Sequence, residues 1–593
     1  MRFEKTFSNL IGRLWQHIGR SRRRQFWLLL GLTILASFAE IVSIGSVLPF
    51  IGALTNPEKI FDSSAAAPMI QFMGLENADQ LLLPLTIIFS VAALLSGLLR
   101  IFSLKFSVKV SFEVGSELSN NVYRKTLYQP YATHIARNSS EVVNVIWVKI
   151  SEVIFYILMP GLTLISSIAM IIAILFVLCY VIPGVALGII ACFGLIYAFI
   201  IKISRRHLKE SSRRIATESN NVIKSLQEGL GGIRDILIDG SQESFCAIYR
   251  ETDRILRTAQ GSNQFISQSP RFAMESMGTV LIAGLAYVLS QRPDGITNAI
   301  PILAALALGL QRLLPALQQA YNSWSLMQGA HASLQDALDL LDQPMLQNTG
   351  EEKIAPISFE NDISLKKVSF RYNSESPWIF EDVDLEVKKG SRVGFIGGTG
   401  SGKSTMIDII MGLLDPARGA LEIDGKKISS ENRRAWQSRI AHVPQTVFLT
   451  DNSIEENIAF GIPREKISYE RVKLAAEQAQ LAETIEQWPE GYRTVVGERG
   501  IQLSGGQRQR IGIARALYKR ADVIVFDEAT SALDTETEMA VMLAIESLSK
   551  DITILIIAHR LNTLKNCHKI VEVRKEGIFI KDMNFNEVIG DFS

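Results

Sequence analysis

Cysteine is scarce. The 593 residues carry four, Cys179, Cys192, Cys246 and Cys567, and no two have the C-x-x-C spacing. That argues against a disulfide framework or a thiolate zinc site and suits a reducing compartment for the soluble part. Cys179 and Cys192 fall inside apolar runs, where cysteine packs as a small hydrophobe. Net charge is equally thin. Lys and Arg number 61 against 60 Asp and Glu, which leaves +1 and none of the basic surplus that a nucleic-acid partner requires. No internal repeat is visible, yet the chain is too long for one core, so two or more domains are expected.

Long apolar runs are abundant, and all lie in the first part. They lift the mean hydropathy to +0.19, whereas the chain after roughly residue 345 reads as a soluble α/β domain. Six blocks reach the ~20 residues needed to cross a bilayer: Phe26–Leu54, Leu81–Leu104, Val153–Ile182, Val185–Ile203, Phe265–Ser290 and Ala299–Ala320. Pro183-Gly184 joins the third and fourth as a tight antiparallel turn. Arg20, Arg22, Arg23 and Arg24 precede the first block. Lys105, Lys109, Arg124 and Lys125 follow the second, and Arg205, Arg206, Lys209, Arg213 and Arg214 follow the fourth. The opposite loops carry little more than Lys59 and Arg292, so the N-terminus, the long connections and the soluble domain are expected in the cytoplasm. Localisation in the cytoplasmic membrane follows.

The fold expected is therefore a multidomain membrane protein, with an all-α six-helix transmembrane domain followed by an α/β domain, whose glycine-rich Gly397–Ser404 marks it as a P-loop nucleotide-binding domain. Residues 1–25 read as an interfacial segment, with Phe3–Ile18 an amphipathic helix at the membrane surface. Residues 26–330 form the transmembrane domain, 331–362 the linker, with a polar break from Asp342 to Asp362, and 363–593 the soluble domain. The connections Lys105–Glu152 and Ser204–Gln264 read as cytoplasmic extensions of the spanning helices. Ala65–Met73, in the outer loop Asn56–Gln80, is expected as a short helix.

The soluble domain holds the chemistry. Gly397-Gly398-Thr399-Gly400-Ser401-Gly402-Lys403-Ser404, followed by Thr405, fits the pattern G-x-x-x-x-G-K-[ST] between an apolar strand, Arg392–Ile396, and an apolar-periodic helix. Backbone N–H groups of such a loop surround phosphate oxygens, Lys403 reaches the β- and γ-phosphates, and Ser404 ligates Mg²⁺. The apolar run Val523–Phe526 reads as a parallel strand covered on both faces, and it delivers Asp527 and Glu528 to the carboxyl edge of its sheet. Asp527 suits the magnesium and Glu528 the general base. Ile554–Ile557 brings His559 to the same edge, within reach of a γ-phosphate. ATP and Mg²⁺ are the cofactors this implies.

Leu503 with Ser504-Gly505-Gly506-Gln507 completes a resemblance to ATP-binding-cassette (ABC) ATPases, which spans about Ile363–Val588. In that resemblance Tyr372 stacks on adenine, and Gln445 senses magnesium and contacts the membrane domain. Thr494–Gly500 is similar to a loop specific to exporters, and Asp534, in Ser531–Asp534, lies at a dimer interface. The signature Ser504–Gln507 of one copy closes over the ATP of the other. A single copy per chain thus implies a two-fold dimer, a homodimer because every catalytic motif is intact, with a heterodimer left open.

Six spans ahead of a cassette resemble the exporter branch. Charges inside those spans bear on the cargo, since an arginine at the bilayer centre costs roughly 2.5–3.5 kcal/mol and normally faces the protein interior or a water-filled cavity. Arg312 lies mid-block; Arg100 and Arg271 lie nearer the cytoplasmic ends, and Glu40 is deep in the first block. Arg100 and Arg271 snorkelling, or Arg271 pairing with Glu275, is one reading; a basic lining for an anionic head group is the other. Leu99-Arg100, Ser269-Pro270-Arg271 with Glu275, Gln311–Pro315, and Ser37–Glu40 with Leu48–Ile51 resemble segments of lipid-linked-oligosaccharide flippases of bacterial N-glycosylation. That resemblance implies that Arg100, Arg271 and Arg312 hold the pyrophosphate of a polyprenyl carrier. A general lipid or hydrophobic-drug exporter is the alternative, and a cassette acting as an ATP-gated switch on a partner is a rival from another class.

Overall fold

The computed structural model describes residues 7–55, 57–62, 71, 74–181, 183–290, 295–344, 357–497, 500, 503–528, 538–539, 551–558, 564, 567–574 and 577–581. It divides into two units. One comprises Met1–Tyr128 and Arg137–Pro344; the other comprises Met345–Ser593 together with the short segment Gln129–Ala136.

The first unit is helical. Among the described residues, four helices are long and apolar enough to cross a membrane: Arg20–Leu54, Leu82–Leu127, Ser139–Tyr180 and Leu187–Gly231. The fifth and sixth sequence blocks lie on two more long helices, Gln242–Ser290 and Gly295–Gly329. The first long helix packs along the second, the third against the sixth, and the fifth against the fourth and the sixth. Large apolar side chains such as Leu94, Phe176, Leu195 and Phe272 stay exposed on these helices, as hydrocarbon surroundings permit. The outer segment Ala65–Met73 falls, but for Gln71, outside the described residues.

Two details depart from the periodicity reading. The third long helix is regular only in part, with π turns at Val145–Lys149 and Ile154–Leu158. The second lies where Ile154 crosses Gly115 of the second long helix; a Cβ at Gly115 would overlap the Ile154 side chain, so the glycine allows the close approach. The stretch after residue 330, expected to open the linker, is instead helical from His331 to Leu341. Its Leu334, Ala337, Leu338 and Leu341 sit at helical spacing, and they are buried with Val110, Val114 and Leu118. Lys149, fully buried, pairs with Asp336 of the same helix.

The N-terminal helix, Phe7–His17, turns Leu10 and Leu14 into that cluster. Leu10 and Leu14 of this helix, expected from the sequence at the membrane surface, are therefore buried against the protein. Its polar face supplies Arg13, which reaches Asp339 at 3.0 Å, and His17, 2.6 Å from Asp342.

The second unit is built on two sheets. One is four-stranded and antiparallel, in the order β2 (Phe380–Lys388), β1 (Asp362–Phe370), β4 (Arg418–Ile423), β5 (Lys426–Lys427). The other is six-stranded, in the order β10 (Gly577–Lys581), β9 (Lys569–Arg574), β3 (Arg392–Ile396), β8 (Thr553–Ile557), β7 (Val523–Asp527), β6 (Ile440–Val443). In it only the edge pair β10–β9 is antiparallel. β3, β7 and β8 read as unbroken apolar runs because both faces are covered. Between the sheets, Phe395, Met406, Ile409, Leu421, Trp436 and Leu555 share one core. The indole N–H of Trp436, its one polar atom, donates to the Ile410 carbonyl at 2.8 Å.

Overpacking a tight core crossing costs about 1–3 kcal/mol. Gly115→Ala is accordingly expected to lower the melting temperature of the purified protein. Adding Ile154→Ala to that variant should recover most of the loss, because it removes the atoms with which the new methyl collides.

Candidate functional site

β3 ends at Ile396, and the chain turns at once into the glycine loop. Gly397, Gly400 and Gly402 have φ of 147°, 78° and 101°, a region that side chains disfavour. Gly397 also passes so near the Val573 carbonyl that a Cβ would collide with it. Lys403 opens the helix Lys403–Ile410 and folds its ammonium back onto the carbonyls of Gly397 and Gly398, at 2.8 and 3.0 Å. These contacts occupy the donors that a polyphosphate would claim. The Ser401 hydroxyl is buried without a hydrogen-bond partner. Ser404 is exposed in the first helical turn, Gly398 has open space around it, and Thr399 continues the loop. A helix N-terminus, an ammonium and an orphaned hydroxyl together fit a bound phosphate chain.

Tyr372 stands half exposed beside the loop. Its hydroxyl is 3.0 Å from Thr405 Oγ1, and its ring meets Phe370 edge to face at 5.2 Å. A tyrosine fixed at hydroxyl and ring edge keeps a face free for a planar base.

β7 ends with Asp527, and Glu528 follows with φ 49°, a strained value for a side-chain-bearing residue. The Glu528 backbone N–H donates to the Ile557 carbonyl of β8 at 3.1 Å, which fixes the turn. Gln445 Nε2 donates to Glu528 Oε2 at 2.7 Å, so two residues chosen separately from sequence share a hydrogen bond. His559, Asp534, Glu498 and Arg499 lie outside the described residues.

Ser504 caps the helix Gly505–Lys519 through a reciprocal box with Gln507: its hydroxyl accepts from the Gln507 N–H, and its own N–H donates to the Gln507 side chain. Gly505 and Gly506 leave the first turn bare. Among the described residues, no hydrogen bond or ion pair joins Ser504–Gln507 to the glycine loop of the same chain.

Asp408 was missed in the sequence, where a lone acid in an apolar-periodic helix reads as a solvent-facing residue. Burial, reinforced by the charge of Asp527, lifts its carboxyl to about 6. Tyr131, in the segment Gln129–Ala136 that belongs to this unit, lies within electrostatic reach of Asp408 and Tyr372. Burial first, then those two neighbours, raise its phenol.

The membrane arginines fall into two groups within one chain. Arg271 Nε donates to Glu275 Oε1 at 2.8 Å, one helical turn away. This pair lines a 610 Å³ cleft with Tyr197, Gln268, Gln311 and Gln318. Arg100 and Arg312 meet elsewhere, at the buried carboxylate of Glu40. Each of the three thus has a resident acid beside it, and they do not form one continuous lining in a single chain. Ser96 and Met170, partners of Glu40 and Arg100, carry no charge that would have singled them out in sequence.

The family described as ABC transporter matches residues 380–531, and the ABC transporter transmembrane region matches residues 26–294. An ATP-dependent lipid A-core flippase of Alkalilimnicola ehrlichii is 31% identical over 408 residues, 67% of each chain. A leukotoxin translocation ATP-binding protein, LktB, of Mannheimia glucosida is 32% identical over 410 residues, 68% of this chain and 56% of its own. Among solved structures, a bacterial Atm1-family ABC exporter with ATP bound superposes with a TM-score of 0.78 at 22% identity, covering 96% of each chain, a likeness of fold.

The raised carboxyl of Asp408 sets a pH dependence. Its folded value, about 6, exceeds the unfolded one, about 3.9. The stability it contributes is complete below about pH 4 and lost as pH rises through about 6. Asp408→Asn should abolish this step, so the melting temperature of the nucleotide-free variant should gain on the wild type as pH rises from about 4 to about 6.5 and hold that gain above it. Parallel pH profiles of the two proteins would contradict the assignment.

Proposed function

Because the chain belongs to the ABC transporter family and joins an exporter-type transmembrane region to an ATPase, we infer that it moves an amphipathic anionic lipid across the cytoplasmic membrane. A polyprenyl-pyrophosphate-linked oligosaccharide is the favoured cargo. The carrying observation is that guanidinium groups stand partly exposed on otherwise apolar helices, with Arg100 at 41% and Arg312 at 48%. A neutral hydrophobic cargo would give no return for that cost. The cleft beside Arg271 adds the carboxamides of Gln268, Gln311, Gln318 and Gln319, which suit the hydroxyls of a sugar. The name lipid A-core flippase, carried by a relative, also points to a lipid, as the notion of a flippase requires.

The ATP chemistry follows from the loop. Lys403 exchanges the carbonyls of Gly397 and Gly398 for β- and γ-phosphate oxygens, and Tyr372 stacks on the adenine. Mg²⁺, held by Ser404, Asp527 and Gln445, would neutralise charge on the departing phosphoryl group. Glu528 accepts the proton of the attacking water, and His559 contacts the γ-phosphate. Ser504–Gln507 caps a bare helix N-terminus and, among the described residues, makes no hydrogen bond to the glycine loop of its own chain, which supports a role toward a second copy. Two copies therefore pair, each closing its signature over the other's ATP, with Asp534 at the junction. Closure of the paired cassettes drives the spanning helices, and hydrolysis resets them.

Two measurements check this reading. Glu528→Gln should cut ATP hydrolysis by roughly 10²- to 10⁴-fold with nucleotide binding intact. In proteoliposomes, glycan-linked polyprenyl pyrophosphate should stimulate ATPase activity and be flipped, and Arg271→Gln should lower that flipping about tenfold or more. Equal flipping of neutral lipids or hydrophobic drugs by wild type and the Arg271 and Arg312 variants would establish the general exporter instead.

A further inference from the structure

Glu40 sits inside the first long helix with 3% of its side chain exposed. A carboxylate at that depth needs compensation, and three neighbours provide it. Ser96 of the second helix donates a hydrogen bond to Oε2. Arg100 Nη1, one turn further along that helix, is 3.8 Å from the same oxygen, and Arg312 Nε of the sixth helix is 3.4 Å from Oε1. Both separations exceed the ~2.9 Å of a strong charge-assisted hydrogen bond. Oε1 accepts no hydrogen bond among the described residues. Arg100 gives one N–H to the sulfur of Met170, a weak acceptor, at 3.3 Å, and Arg312 donates none among the described residues. The acid is buried and held; the guanidinium forks are loose and partly exposed. Two cations and one anion leave the cluster one net positive charge.

We propose that Glu40 is a resident counter-ion that a phosphate-bearing lipid head group displaces from Arg100 and Arg312. The head group takes the uncommitted N–H donors of both arginines, while Glu40 stays anchored on Ser96 and opposes the bound anion. Glu40 is thereby a positioning residue: it limits how tightly the head group is held and so lets it leave. A pair that only glued helices together would be close, bidentate and buried on both sides, and this one is none of these. The proposal rests on the reading of the cargo as an anionic lipid.

The test uses the full-length protein in lipid nanodiscs. It compares wild type, Glu40→Gln and Ser96→Ala for binding of polyprenyl pyrophosphate, uncharged polyprenol and inorganic pyrophosphate. Removing one like charge about 4 Å from the ligand should tighten polyprenyl pyrophosphate binding roughly tenfold in Glu40→Gln. The lipid-stimulated ATPase should then show a lower half-saturating concentration and a lower maximal rate. Ser96→Ala, which frees the acid without removing it, should shift both in the same direction by less. Unchanged or weaker binding in Glu40→Gln overturns the proposal; if that variant does not assemble, the same outcome in Ser96→Ala does so. Inorganic pyrophosphate binding as tightly as the lipid overturns the lipid assignment of the site. A wild-type protein that does not prefer polyprenyl pyrophosphate to polyprenol removes the cargo reading itself, and with it this inference.

Discussion

The parallel register of β3, β8 and β7 is the constraint on which the ATPase chemistry depends. Phe395 pairs with Ile557, and Ile557 with Asp527, so three strands end at one level. The glycine loop, the acid pair Asp527-Glu528 and the chain after Ile557 therefore open onto the same edge. Hydrogen bonds from Glu528 N–H to the Ile557 carbonyl and from Ala558 N–H to the Phe395 carbonyl lock that edge across strands. A slip of one residue would exchange the covered faces of each apolar strand and carry the acids away from the loop. The strained φ of Glu528 is tolerated because this lattice over-determines it.

In the membrane unit the corresponding constraint is charge compensation. Every charge that the six apolar blocks carry at depth has an opposite partner on another helix or one turn away. Glu40 joins the first helix to the second and the sixth, and Glu275 steadies Arg271 and is approached by Gln318 at 3.5 Å. Such pairs do more than offset desolvation, since they define which helices must stay together and which donors remain for a ligand. Lys149 and Asp336 pair likewise, Lys149 in the first of the two π turns, while Ile154, which opens the second, crosses Gly115 of the second long helix.

The loop, the acid-bearing strand and the capped signature were legible because phosphate chemistry acts through consecutive residues: Gly397–Ser404 has to carry its own backbone geometry. The apolar blocks were legible because a bilayer imposes length and composition on each helix alone. Less could be read where partners are distant in sequence. Nothing local announces that Arg312 turns to Glu40 rather than to water, or that Gln445 meets Glu528. The antiparallel sheet of β1, β2 and β4 mixes exposed and buried positions with register shifts, so its strands do not stand out as β3 and β7 do. The helix His331–Leu341 carries its signal in Leu334, Leu338 and Leu341, but Gln335, Asp336 and Asp339 between them make the stretch read as polar. Its burial is decided by the helices around it.

The proposed pairing of two copies rests on the glycine loop Gly397–Ser404 and the capped signature Ser504–Gln507, which no hydrogen bond joins within one chain among the described residues. The direct measurement is ATP turnover per chain in nanodiscs sorted to hold one copy or two. Discs with two copies should hydrolyse ATP, and discs with one should be slower by about 100-fold or more, the cost expected when a set of stabilising groups is withheld from the transition state. Equal turnover per chain in both would contradict a nucleotide site shared between two subunits.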